Sequence, residues 1–238
     1  ISKNKDNFSR SEKSQNAEAM LQSVLYVTGN YNTRIWLTPF LYHLLKSNYE
    51  NALHLLEEID NNLSLSTEND QLTTWHQLDS VKIPLVVKLD FEKELESNRG
   101  TGFKHYWFQK LEYLLWKSLK NKTDWLEGEE SKFNKYRIIA RNSIEHIYPQ
   151  HPEFDDELEP EYLNSFGNLV LLSVSQNSTY SRKSVNEKRE QFFNKPYFDS
   201  LKSYEYFSQK ELIPYKLMIG NHADKMLELI KKHYNYDQ

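Results

Sequence analysis

There is no cysteine among the 238 residues. That absence removes disulfides, thiolate zinc sites and a cysteine nucleophile together. A cysteine-free chain fits a reducing interior, so the cytoplasm is the expected location. No apolar run approaches the roughly 18 residues that a membrane-spanning helix needs, and no membrane partner is expected. Residues 1–16 are polar and lack the apolar core of a signal peptide. The chain does not begin with Met and is expected to be a fragment or a processed product. Glycine and proline are scarce, at 6 and 7, which favours helices over a turn-rich all-β fold. No G-x-x-x-x-G-K-[ST] run exists, so any nucleotide hydrolysis has to lie outside these residues. No internal repeat is visible.

What is present describes a folded, soluble chain. Apolar residues make up 38% and charged residues 27%, far from a disordered composition. Sixteen Tyr and 5 Trp supply bulky core material that keeps polar handles. The net charge of −4 argues against a protein that coats DNA, but the average hides a local pattern. Lys132, Lys135, Arg137 and Arg141 face only Glu145 between residues 132 and 150. Arg182, Lys183, Lys188, Arg189 and Lys195 outnumber Glu187 and Glu190 further on. Between them, Glu153 to Glu161 carries six carboxylates and no Lys or Arg, which reads as a solvated loop. A local basic face is what phosphate contact requires, whatever the whole-chain charge.

The apolar periodicity predicts a mainly α protein with a small α+β part. Residues 1–16 read as a frayed lead-in. A helix follows over 17–28, with Gly29 as its stop. Thr38-Pro39 reads as cap and first turn of the next helix, and another runs over about 50–59. The Asn- and Ser-rich stretch 60–70 reads as a loop, and 72–78 as a short helix. Val81 to Leu89 is β-branched, though Pro84 weakens a strand there. Residues 98–102 form a Gly-containing loop. Residues 105–119 are the strongest helix, and 121–134 a polar linker. Short β-compatible pieces occupy 136–148. A short helix opens at Pro160 and ends at Phe166-Gly167, a strand spans 168–173, and a polar turn through Asn177 leads into a helix over 184–193. A last amphipathic helix covers 222–233. The expected division is a helical connector over 1–70 and a second domain over 71–238, with its strand–strand–helix core at about 136–195.

The chemistry concentrates between residues 144 and 189. Glu145 and His146 are neighbours at the end of a strand, where adjacent side chains point to opposite faces and suit different roles. The run Glu145-His146-Ile147-Tyr148-Pro149-Gln150 resembles the first-strand signature of HNH (ββα-metal) nucleases, an acid followed by His-Ile-x-Pro-Gln. The run Gly167-Asn168-Leu169-Val170-Leu171-Leu172-Ser173, then Asn177, Ser181, Lys183 and Glu187-Lys188-Arg189, looks like the rest of it. The nine-residue step from Asn168 to Asn177 is similar to that in HNH domains of CRISPR effectors. The chain resembles in particular the HNH-like domain at the C-terminus of GmrSD-type modification-dependent restriction enzymes, over roughly residues 75–235.

That resemblance implies a divalent-metal DNA endonuclease acting in phage defence, with modified cytosine bases as the family's targets. It implies His146 as general base, Glu145 and Asn177 as metal ligands, and Asn168 as the residue holding the loop that orients His146. Lys183 and Arg189 become phosphate contacts. The family often has His where Asn177 stands, so this is an HNN variant. Loss of an imidazole favours Mg²⁺, with Mn²⁺ as its substitute. A neutral imidazole with an ordinary pKa of about 6.5 can take a proton near neutral pH. The helices before the motif resemble the connector to an N-terminal ParB-like nucleotide-hydrolysing domain. The competing reading is a catalytically degenerate helical module that binds nucleic acid or protein, against which Glu145, His146 and Asn177 are all intact.

Overall fold

A computed structural model describes residues 2–4, 7–9, 16–28, 34–46, 51–81, 89–153, 156–180, 182–209 and 213–234, with side chains from residue 16 onward. Strands β1 (Ser2–Asn4) and β2 (Asn7–Ser9) pair antiparallel, so the expected lead-in includes a small hairpin. Helices α1 (Ala17–Thr28), α2 (Leu37–Lys46), α3 (Ala52–Leu65), α4 (Asp70–Asp79) and α5 (Phe91–Glu96) follow. Next come α6 (His105–Leu119), α7 (Glu129–Lys135), strand β3 (Ser143–His146) and α8 (Pro160–Leu163). Strand β4 (Leu169–Leu172) leads to α9 (Val174–Tyr180), α10 (Val185–Phe193), α11 (Leu201–Phe207) and α12 (Tyr215–Tyr234). The protein is mainly helical, with two small antiparallel sheets among the described residues.

Helix α6 is the axis of the molecule. Its Trp107, Phe108, Leu111, Tyr113, Leu114, Leu115 and Trp116 are all buried, and a run of consecutive buried residues on a helix must be covered on every side. Helices α1, α11 and α12 and strand β4 pack against it, and one continuous apolar core results. Two charges on α6 are buried as well. Lys110 pairs with Asp60 of α3, and both side chains are fully buried. Glu112 accepts from the Ser200 hydroxyl and from the backbone N–H groups of Leu201 (2.7 Å) and Lys202 (3.3 Å), so it caps α11. Breaking such a buried pair by removing one partner costs about 3–5 kcal/mol.

Several sequence expectations are corrected. Residues 60–65 are helix, not loop, because the polar side chains there are buried with partners: Asp60 on Lys110, and Asn62 donating to Val81 O at 2.6 Å. Thr38 lies inside α2, whose first turn is set by Leu37 N–H to Arg34 O at 3.0 Å. Helix α7 occupies part of the expected linker, opened by Gly128 at φ 79°, a left-handed conformation that glycine adopts without strain. Helices α5 and α11 had no counterpart in the pattern, and α12 begins seven residues before the expected 222. Helix α8 stops at Leu163, and Asn168 belongs to the 3-10 turn Phe166–Asn168 rather than to the strand. Within 136–148 only β3 is strand. The possible strand over Val81–Leu89 falls largely on residues 82–88, outside the described residues.

The 3-10 turn Phe166–Asn168 is pressed against α12. A Cβ on Gly167 would stand 2.2 Å from Ile219 O and 2.9 Å from Ala223 Cβ. Lys202, on α11, is fully buried and donates to the carbonyls of Phe166 and Leu169. His222, on α12, is buried and donates through Nδ1 to Gly167 O at 2.8 Å. Burial drives the Lys202 ammonium down to about 7, although Glu112 opposes the shift.

Two outcomes are expected. Gly167→Ala forces backbone apart and should lower stability by roughly 1–3 kcal/mol or more in urea denaturation; an unchanged midpoint contradicts the packing. For Lys202, the unfolded chain keeps its proton up to about pH 10.4 while the folded chain releases it near 7. The unfolded state therefore binds more protons across that window, and stability rises with pH there. Relative to Lys202→Met, the wild type should gain on the order of 2–3 kcal/mol between pH 7 and pH 9.5. A difference independent of pH counts against the buried charge.

Candidate functional site

Strands β3 and β4 form a ladder of four residue pairs, Ser143↔Leu172, Ile144↔Leu171, Glu145↔Val170 and His146↔Leu169. Strand β4 is buried on both faces, while β3 alternates: Ser143 and Glu145 are half-buried, Ile144 and His146 buried. Beyond the ladder, Ile147 N–H donates to Asn168 O at 2.8 Å. The chain then leaves on the long excursion 147–168 before it returns.

Asn168 fastens the mouth of that excursion. Its side chain is fully buried. The Oδ1 atom accepts from Tyr148 N–H at 2.8 Å, and Nδ2 donates to Tyr148 O at 3.3 Å and Leu163 O at 2.9 Å. One amide therefore satisfies three backbone groups from both feet of the loop, a geometry that a strand pair would otherwise supply.

Asn177 lies in α9, where the sequence pattern gave a turn. The helix starts because Ser173 O accepts from the N–H groups of Gln176 (3.1 Å) and Asn177 (3.0 Å). This turns Asn177 onto β3, where its Nδ2 donates to Ser143 Oγ. Ser143 and Glu145 are two apart on one strand and share a face. The structure thus brings Glu145 and Asn177 to the same face of β3, while His146 belongs to the opposite one.

Glu145 has a partner that sequence reasoning left without a role. Lys188 of α10 donates to Glu145 Oε1 at 2.9 Å and to His146 O at 2.6 Å, with its side chain fully buried. Burial raises the Glu145 carboxyl against the pull of Lys188, and burial lowers the Lys188 ammonium against the pull of Glu145. A signal did exist: Val185, Lys188 and Phe192 are the buried residues of α10, so Lys188 occupies a core position of that helix. Among the described residues, Glu145 Oε2 and Asn177 Oδ1 make no bond with a protein group.

His146 is 5% exposed. Its Nε2 stands 3.5 Å from Asn164 Oδ1, an amide oxygen that can only accept. That tautomer leaves Nδ1 with the free lone pair. Burial lowers the His146 pKa, the Asn164 contact raises it, and the Lys188 charge lowers it again, with a net downward shift. The imidazole is therefore neutral at pH 7. Asn164 also escaped the sequence reading; its Oδ1 lies where a Cβ on Gly100 would sit, at 2.7 Å.

The two basic residues assigned to phosphate have partners within the protein. Lys183 donates to Gln191 Oε1 at 2.9 Å. Arg189 is exposed, donates through Nε to Phe207 O at 2.8 Å and lies over the Phe193 ring. His151, near the motif, pairs with Glu157 at the surface.

The family model for the C-terminal domain of GmrSD restriction endonucleases matches residues 90–224. The chain belongs to that family. Membership makes it a restriction-endonuclease domain, and cleavage of nucleic acid its class of activity. The matched span runs from just before α5 into α12 and falls within the 75–235 of the sequence resemblance. It contains the hairpin, the Asn168 corner and Lys188 of this GmrSD-type domain. Nothing among curated proteins or solved structures matches the chain. No described helix is long and apolar enough to cross a membrane.

A divalent metal can be tested against these donors. No group of three or more His, Cys, Asp or Glu that could hold a metal occurs among the described residues. The donor set is one carboxylate oxygen and one amide oxygen, each on a side chain tethered through its other polar atom. Hard oxygens in small number fit Mg²⁺, which keeps most of its coordination for water and phosphate. On this face an ion would meet these two oxygens, with the Lys188 ammonium on the other oxygen of Glu145.

Asn168→Asp is expected to test the corner. The substitution keeps an acceptor for Tyr148 N–H, but it removes both donors and sets a buried charge against two carbonyls. Stability should fall by roughly 3 kcal/mol or more in urea titrations. A loss below about 1 kcal/mol would show that the amide is replaceable.

Proposed function

We propose that this domain hydrolyses DNA phosphodiester bonds with a divalent metal, in the manner of HNH nucleases. The observation that carries the reading is the arrival of Asn177 on the β3 face of Glu145, each with one oxygen uncommitted, at the strand end where the following residue is the neutral His146 of the other face. Glu145 and Asn177 would hold Mg²⁺ or Mn²⁺ as an HNN site. When bound, the ion neutralises phosphate charge and stabilises the leaving oxygen.

The other steps belong to the chain's own groups. His146 takes a proton from the attacking water at Nδ1, and Asn164 keeps Nε2 protonated and the ring in place. Asn168 holds Tyr148 and Leu163 together, so the strand end that carries His146 keeps its direction. Lys188 fixes the Glu145 carboxylate and the His146 carbonyl in one contact. Lys183 and Arg189 exchange their present partners for DNA phosphates, a step that their exposed or half-buried positions on one helix region allow.

The same reading places the domain in a modification-dependent restriction enzyme of phage defence, acting in the cytoplasm on DNA with modified cytosines. It gives residues 1–70 the role of connector to a ParB-like nucleotide-hydrolysing domain or subunit, with 71–238 as the nuclease part.

Plasmid nicking tests the proposal. With Mg²⁺ or Mn²⁺ the protein should nick plain or cytosine-modified plasmid, and EDTA should stop it. His146→Ala should reduce kcat by about 10²–10⁴-fold, and Glu145→Ala or Asn177→Ala should raise the Mn²⁺ concentration needed. Nicking that survives His146→Ala overturns the base assignment.

A further inference from the structure

A buried lysine with no carboxylate at its ammonium needs an explanation. The Lys202 side chain lies wholly within the core, its Nζ on the Phe166 and Leu169 carbonyls and 4.5 Å from the centre of the Phe166 ring. The groups that face it are few. From α6 come Glu112, which is bonded to its backbone N–H, and the Phe108 ring at 5.7 Å; from α12 comes the neutral His222. Removing an ammonium from water costs several kcal/mol, and an apolar side chain of the same shape avoids that cost. Burial of the side chain as such does not account for Lys202.

Its contacts do. Phe166 and Leu169 flank Gly167 and Asn168, so Lys202 grips the corner from both sides while His222 takes the carbonyl between. Gly167 leaves no room for movement towards α12, with Ile219 O and Ala223 against it. The carbonyls of Phe166, Gly167 and Leu169 are thus held from α11 and α12. The Asn168 carbonyl instead receives Ile147 N–H, and the Asn168 amide receives Tyr148 N–H. The chain of contacts runs from Lys202 and His222 to Asn168, then to residues 147 and 148, which directly follow His146.

We propose that Lys202 and His222, on helices outside the hairpin, are positioning residues. They set the orientation of the Asn168 corner and, through it, the end of the strand that carries His146. The consequence for cleavage rests on the nuclease reading above; the clamp itself does not.

The test uses the full chain with Lys202→Met, which fills the volume and cannot donate. Amide hydrogen exchange at Ile147 and Tyr148 should accelerate at least about tenfold while α6 amides stay protected. Plasmid nicking with Mn²⁺ should lose about 10–100-fold in kcat, the range for groups that orient a metal-site ligand, with KM unchanged within about twofold. His146→Ala run in parallel separates the two ideas. If the wild type never nicks, the nuclease reading falls and the exchange data alone decide the clamp. Unchanged exchange at Ile147 and Tyr148 overturns the proposal. So does wild-type kcat in a variant whose exchange has accelerated, or a loss confined to KM. Lys202→Gln keeps one donor and should fall between the two. Should Lys202→Met fail to fold, wild-type exchange and nicking in Lys202→Gln overturn the proposal instead.

Discussion

Two strands with four residue pairs hold too few bonds to persist in water on their own. The excursion of residues 147–168 adds the entropy of closing a long loop. The hairpin therefore exists only because its surroundings hold it. Strand β4 is buried on both faces and packs against α6. Asn177 ties β3 from one side, and Lys188 reaches its last carbonyl from another. The Asn168 amide closes the mouth of the loop, where a short turn would have done so in an ordinary hairpin.

Buried charge recurs in this arrangement, and each instance fixes a direction. Lys110 sets α3 against α6, Glu112 sets α11, Lys188 sets α10 against β3, and Lys202 sets the Phe166–Asn168 turn. Apolar packing is non-directional and tolerates sliding. An ammonium lodged between two named acceptors does not. The core supplies the adhesion, and these few ions determine the register in which helices meet the hairpin.

The parts of this fold that were legible in sequence are those where local pattern and tertiary environment agree. Residues 17–28 and 105–119 matched helix limits end to end, because apolar periodicity dominates both. Residues 60–65 misled, since Asp and Asn signal loops only while they stay in water, and here they are buried on α6 and on Val81 O. In the candidate site, Glu145, His146, Asn168 and Asn177 stood out by type and order. Lys188 was readable from its core spacing with Val185 and Phe192. Lys202, His222 and Asn164 left no trace, because their partners are groups between 18 and 55 residues away whose proximity only the folded chain creates.

The loop that interrupts the hairpin has both feet on one side chain: Tyr148 and Leu163 are gripped by the same Asn168 amide. Of the residues in between, most of those described from Gln150 to Pro160 lie at the surface. The rim has ties of its own, from Asp156 O to the Tyr148 hydroxyl and from Glu159 to Lys216, so the Asn168 amide and the rim hold the same foot from two sides.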